Sequence, residues 1–131
     1  MNAAAPAGRT ALVIDDDPSI STLLQIILKR EGYTVTCIRD GREAQKAIED
    51  GAVPALVTLD LMLPHVDGYA LLELMRAREA WRNVPVLMLT ARSQEKDMAR
   101  AMERGASEFI VKPFKPEELR ERVRRLVGAS S

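Results

Sequence analysis

Apolar residues arrive in short bursts along this chain, and the spacing inside the bursts switches between two periods. ALVIDDD at 11–17 is a continuous apolar run closed by acids, the pattern of a strand buried on both faces. In PSISTLLQIILKREG, which follows, Ile20, Leu23, Leu24, Ile27 and Leu28 recur at helical spacing. Pro18 suits the first helical position and Gly32 the stop. YTVTCI at 33–38 sets Tyr33, Val35 and Cys37 against Thr34 and Thr36, as a strand near a sheet edge does. Asp40 then caps a helix running to about Glu49, with Ala44, Ala47 and Ile48 on one side and Gly51 just past its end.

The alternation continues to the end. ALVTLD at 55–60 reads as a third strand, and Asp67 caps a third helix that turns Leu71, Leu72 and Met75 inward. VPVLMLT at 84–90 is a fourth strand. The helix expected over 94–104 is rich in charge, with only Met98, Ala101 and Met102 as its apolar side before the Gly105 stop, so it is the most loosely held. SEFIVK at 107–112 gives a fifth strand, and Pro116 opens a last helix with Leu119, Val123, Leu126 and Val127 inward. Five strands alternating with five helices predict a doubly wound α/β fold: an open parallel sheet with helices on both faces, because parallel neighbours need crossover connections.

Composition narrows the picture. The 131 residues suit one domain, and 47% hydrophobic with 29% charged residues is the balance of a globular chain. Lys+Arg and Asp+Glu both number 19, so no global field favours nucleic acid, and no apolar run reaches the length needed to span a membrane. With one cysteine, Cys37, and one histidine, His65, a zinc-type site is excluded; any metal is a hard ion held by oxygen. The opening MNAAAPAGRT lacks the basic and apolar segments of an export signal. Residues 1–8 are therefore expected as a flexible leader, 9–127 as the domain and 128–131 as a tail, with a cytoplasmic location.

Candidate chemistry collects at strand ends. Asp15 and Asp16, Asp60, Thr90 and Lys112 each close an apolar run, and in open α/β sheets ligands sit outside the carboxyl ends of the strands. Asp17, just before Pro18, is the helix cap, which leaves Asp15 and Asp16 for the site. Carboxylates gathered this closely repel one another unless a cation neutralises them, and the donor set describes Mg²⁺ better than a full Ca²⁺ cage. Such a set suits phosphoryl transfer: Asp60 attacks phosphorus, Mg²⁺ and Lys112 offset charge on the equatorial oxygens, and Thr90 binds the product.

VIDDDP, LDLMLPHVDG, MLTA and VKPF, each on its expected element, resemble the receiver domain of bacterial two-component response regulators over about residues 9–127. That resemblance implies a flavodoxin-like sheet in the order 2-1-3-4-5 with Asp60 as phosphoacceptor. It implies Mg²⁺ held by Asp16, Asp60 and the main-chain carbonyl of Met62, with Asp15 assisting through water. By the same resemblance Thr90 and the Ala91 N–H receive one phosphoryl oxygen, Lys112 holds another, and the Lys112–Pro113 bond is cis. Thr90 and Phe109 occupy the switch positions, through which phosphorylation biases the fourth helix and fifth strand.

The partners so implied are a sensor histidine kinase or histidine phosphotransfer protein, a downstream effector, and a second copy of the chain upon phosphorylation. Neither nucleic acid nor membrane is expected to bind directly. Self-catalysed phosphoryl transfer and self-dephosphorylation stand in place of a conventional enzyme activity. Met62 and Arg92 flank the entrance for water, and a bulky apolar group with a long cation there predicts slow self-dephosphorylation. Two other readings compete. A haloacid-dehalogenase-like phosphatase needs a second acid two residues after its nucleophile, where this chain has Met62. A pseudo-receiver acting only as a binding module lacks an acid or the lysine, and none is missing here.

Overall fold

The computed structural model describes residues 9–127; the expected leader and tail lie outside the described residues. Five strands form one sheet: β1 (Thr10–Ile14), β2 (Thr34–Ile38), β3 (Leu56–Leu59), β4 (Val86–Thr90) and β5 (Glu108–Val111). The helices between and after them are α1 (Pro18–Arg30), α2 (Gly41–Asp50), α3 (Gly68–Ala77), α4 (Glu95–Glu103) and α5 (Pro116–Val127). A 3-10 turn, Glu79–Trp81, follows α3 where the spacing gives no element, and it buries Trp81. Every neighbouring pair is parallel and the order is β2-β1-β3-β4-β5, as the resemblance implies. No helix among the described residues is long and apolar enough to cross a membrane.

Helix starts are set by the expected acids. Asp17 accepts from the Ser19 and Ile20 N–H groups, Asp40 from Glu43 and Asp67 from Ala70, each satisfying donors that a helix N-terminus leaves open. Alternation then divides the strands between two apolar layers. Ala11, Val13, Leu56, Leu87, Leu89 and Ile110 pack under α1 and α5. Leu12, Ile14, Val57, Leu59, Val86 and Met88 pack under α2, α3 and α4. β2 lies at the sheet edge, and its Thr34 and Thr36 are exposed as the pattern predicts.

Helix α4 departs from expectation. Met102 points outward, 47% exposed, and Asp97 takes the inward position beside Ala101, only 8% exposed. The reason is a polar partner: the Tyr69 hydroxyl, rising from α3, donates to the Asp97 main-chain oxygen at 3.2 Å and to its carboxylate at 3.4 Å. At its other end α4 is fastened to α3. The Arg76 guanidinium donates twice to the Gly105 carbonyl, at 2.9 and 2.8 Å, and once each to those of Trp81 and Arg82. Gly105 is at φ 107, and a Cβ there would meet Arg76 Cγ at 2.8 Å, so both the turn and the guanidinium require glycine.

One polar atom conflicts with its surroundings. The Thr58 hydroxyl is the single buried side-chain polar atom without a hydrogen-bond partner among the described residues. Register places Thr58 between Val13 and Leu87, both members of the apolar layer under α1 and α5. Replacing the hydroxyl with a methyl of the same shape removes an unmet desolvation cost. Thr58→Val is therefore expected to stabilise the fold by about 1 kcal/mol, read as a higher urea midpoint at unchanged m-value.

Candidate functional site

Register alone brings the strand-end groups together. Ile14 pairs with Leu59 and Thr90 with Val111, so the next residues, Asp15 beside Asp60 and Lys112 beyond Thr90, leave the sheet at the same end. Backbone bonds carry the ladder one residue further: Asp60 N–H donates to Ile14 O, Asp15 N–H to Ile38 O, and Lys112 N–H to Thr90 O. Each side chain is thus held by a main chain that is itself fixed. Gly68 completes the support, because a Cβ there would lie 2.7 Å from the Asp60 carbonyl oxygen and 2.7 Å from Leu61 Cα. Only glycine lets the start of α3 close against the loop that follows Asp60. The Lys112–Pro113 bond is cis, as expected.

The ammonium of Lys112 lies between two carboxylates, 2.7 Å from Asp15 Oδ2 and 3.0 Å from Asp60 Oδ2. Asp15 and Asp60 are 2% and 6% exposed, so these ion pairs are formed away from bulk water. The remaining oxygens are engaged by main chain: Asp17 N–H donates to Asp15 Oδ1 at 2.9 Å and Met62 N–H to Asp60 Oδ1 at 3.0 Å. Burial pushes the Asp15 carboxyl above its ordinary value, and the bonds from Lys112 and the Asp17 N–H offset only part of that. Burial also works against the Lys112 ammonium, but two carboxylates outweigh it and hold Lys112 above the usual lysine range. One cation among two buried acids leaves an uncompensated negative charge.

Exposed Asp16 adds to that excess. Asp15, Asp16 and Asp60 each offer a carboxylate oxygen, all within 4.8 Å of one another. An all-oxygen set with surplus negative charge fits a hard divalent cation of the magnesium kind. Thr90, fully buried at the end of β4, accepts from the Arg92 N–H at 3.4 Å, and Ala91 is exposed in the loop just beyond. Phe109 is buried in β5, in the layer shared with α3 and α4. All the sequence-derived candidates except Phe109 therefore gather at the carboxyl end of the sheet, with Phe109 below them in the core.

A cleft of about 540 Å³ opens beside these acids, lined by Asp16, Met62, Tyr69, Arg92 and Arg100 among others. Met62 is 54% exposed on one wall. On the other, Arg92 reaches Asp97 at 3.4 Å, and the Arg100 guanidinium lies over the Tyr69 ring, 4.2 Å from its centroid. Tyr69, Asp97 and Arg100 are absent from the sequence-derived candidates. The one available signal was Asp97 itself, a charge four residues before Ala101 and hence on the helix face that turns inward.

A family model described as the response regulator receiver domain matches residues 11–124. The DNA-binding response regulator MtrA of Mycolicibacterium smegmatis is 43% identical over 113 residues, 86% of this chain and 48% of MtrA. The DNA-binding dual master transcriptional regulator RpaA of a Synechocystis species is 44% identical over 116 residues, 88% of this chain and 48% of RpaA. The chain thus spans about half the length of the curated relatives it matches. Among solved structures, the receiver domain of a sensor histidine kinase from Pseudomonas aeruginosa superimposes with a TM-score of 0.83 at 33% identity, covering 93% of this chain and 99% of that one. It carries a magnesium ion in its active site cleft. The chemotaxis response regulator CheY4 of Vibrio cholerae gives 0.82 at 29% identity, over 89% and 97%.

The uncompensated charge has a measurable consequence. Asp15→Asn leaves Lys112 paired one-to-one with Asp60, so the variant is expected to be more stable than wild type at pH 7, by roughly 1 kcal/mol. Because the Asp15 pKa is raised in the folded state, its burial favours the protonated acid, and wild-type stability falls as pH rises through that value. The advantage of the variant should therefore shrink on acidification toward the ordinary aspartate value of 3.8. Chemical denaturation of both proteins across that range is the check.

Proposed function

The chain belongs to the response regulator receiver family of two-component signalling, and from that footing we propose that Asp60 is its phosphoacceptor. The observation that carries the reading is the shared ammonium: Lys112 sits within 3.0 Å of the carboxylate that would be modified and 2.7 Å from a neighbouring acid. In the proposed transfer an Asp60 oxygen attacks the phosphorus of a phosphohistidine on a sensor kinase or phosphotransfer protein. The N–P bond breaks, its electron pair stays with the imidazole, and an acyl phosphate forms on Asp60. In the hydrolytic branch a water oxygen attacks the same phosphorus, the bond to Asp60 breaks with its electron pair returning to the carboxylate, and inorganic phosphate leaves as the water gives up a proton to solvent.

The chain's own groups divide the work. Met62 N–H and Lys112 hold the two Asp60 oxygens, which fixes the plane of the nucleophile before the donor arrives. Lys112 also faces charge developing on a phosphoryl oxygen, while Thr90 and the Ala91 N–H receive another. Asp16, Asp60 and the Met62 carbonyl would hold Mg²⁺, with Asp15 assisting through water. When bound, the ion offsets charge on the carboxylates and the transferring group. Phosphorylation then biases Thr90 and Phe109, and with them the face formed by α4, β5 and α5, toward the form a downstream effector or a second copy recognises. We place this exchange in the cytoplasm and assign the chain no direct contact with nucleic acid or membrane, consistent with its balanced charge. The curated relatives are response regulators, and this chain has Met62 where the phosphatase reading needs an acid.

Incubation with phosphoramidate and Mg²⁺ should add one phosphoryl group to the wild type by intact mass, and none to Asp60→Asn. Lys112→Ala should slow the gain by roughly a hundredfold. The exposed Met62 side chain on the cleft wall shields the acyl phosphate from water, so Met62→Asn should shorten its lifetime about tenfold, equivalent to about 1.4 kcal/mol of barrier. An unchanged or longer lifetime in that variant would remove the shielding role.

A further inference from the structure

We propose that Asp97 is a positioning residue for phosphoryl transfer: by holding Arg92 against the cleft wall it sets how much positive charge an incoming phosphodonor meets. The inference rests on the assignment of Asp60 as phosphoacceptor. Asp97 is the buried charge of a helix whose other charged residues are exposed, Arg100 over the Tyr69 ring included, and it is 8% exposed in a place where an apolar side chain would carry no desolvation cost. Its carboxylate oxygen Oδ1 is shared by two donors from different elements, the Tyr69 hydroxyl on α3 and Arg92 Nη1 in the loop after β4, each at 3.4 Å. Arg92 in turn follows Thr90 by two residues, donates its N–H to the Thr90 hydroxyl, and lines the cleft together with Asp16 and Met62.

The strength of the hold suits a removable restraint. Contacts of 3.4 Å to a guanidinium that is 47% exposed are weak, so Arg92 can be released without unfolding anything. Its charge matters because the cleft beside the acids is lined by Asp16 and Asp67 against Arg92 and Arg100, so whether Arg92 is neutralised by Asp97 decides how much net positive charge a phosphoryl dianion meets there. With Arg92 tied to Asp97 the pair is locally neutral. Freed, Arg92 contributes a cation on the donor's approach. Tyr69 competes for the same Asp97 oxygen, and burial followed by the Asp97 charge keeps its phenol protonated as a donor.

The test is the rate of phosphorylation by acetyl phosphate with Mg²⁺, followed by intact mass at low and at raised ionic strength. Asp97→Asn keeps an oxygen for Tyr69 but loses the charge that holds Arg92. It should react roughly two- to fivefold faster than wild type, and the gain should diminish as salt screens Arg92. Arg92→Ala should react more slowly, and Asp97→Asn added to it should change nothing further. Tyr69→Phe provides a second variant: it leaves Asp97 to Arg92 alone and should slow the reaction. A gain that persists in the Arg92→Ala background, or that ignores salt, would show that Asp97 acts only by loosening α4 and would overturn the proposal. So would equal rates for Asp97→Asn and wild type. Absence of any mass gain in the wild type would overturn the phosphoacceptor assignment as well, which keeps the two failures apart.

Discussion

Two buried carboxylates from different strands share a single ammonium, and the rest of the site is arranged around that imbalance. Asp15 comes from the end of β1, Asp60 from the end of β3 and Lys112 from the end of β5. None of the three could hold its charge out of water alone, since burial of an unpaired ion costs several kcal/mol. Together they remain one positive charge short. A fold that kept these groups for stability alone would have balanced them. The shortfall fits a hard divalent cation, which is the premise of the phosphoryl transfer proposed for Asp60.

Much of this was legible because a parallel sheet collects its strand ends. An acid that closes an apolar run can go nowhere except the carboxyl edge, so Asp15, Asp60, Thr90 and Lys112 could be placed together from spacing and topology before any distance was known. The caps were equally plain, since Asp17, Asp40 and Asp67 each precede a helical period and each accepts backbone N–H groups in the fold. Helix α4 was harder. Both Asp97 and Met102 satisfy helical spacing with Met98 and Ala101, and hydrophobicity favours Met102, yet the fold selects Asp97. What decides is a hydroxyl brought from α3 by tertiary packing, a partner 28 residues away that no local pattern announces.

Arg76 was hidden for a related reason. A basic residue in the last turn of a helix is ordinarily a solvated complement to the helix dipole. Here its guanidinium spreads over three carbonyls, those of Gly105, Trp81 and Arg82, and meets no carboxylate among them. Main-chain acceptors carry no sequence signature, so a side chain that serves them looks the same in the sequence as one that serves water. Glycines 68 and 105 hint at such close approaches, though only the coordinates say what approaches.

The Arg76 contacts also give α4 unequal ends. The turn after Glu103 is clamped by charge-assisted hydrogen bonds at 2.8 and 2.9 Å, and Arg104 adds a 2.8 Å ion pair to Glu73. The opposite end has no side-chain cap and rests on contacts no shorter than 3.2 Å between Tyr69, Asp97 and Arg92. A rod fastened this way behaves as a lever with its fulcrum at Gly105. With nine residues in the arm, a tilt of about 10° would carry the free tip about 2 Å while the fulcrum stays still, given a rise of about 1.5 Å per residue. Displacement in such a tilt is greatest beside the loop that joins Thr90 to the helix and falls to nothing at Gly105, so an adjustment at the acids is taken up by the first turns of the helix while its far end keeps its place against α3.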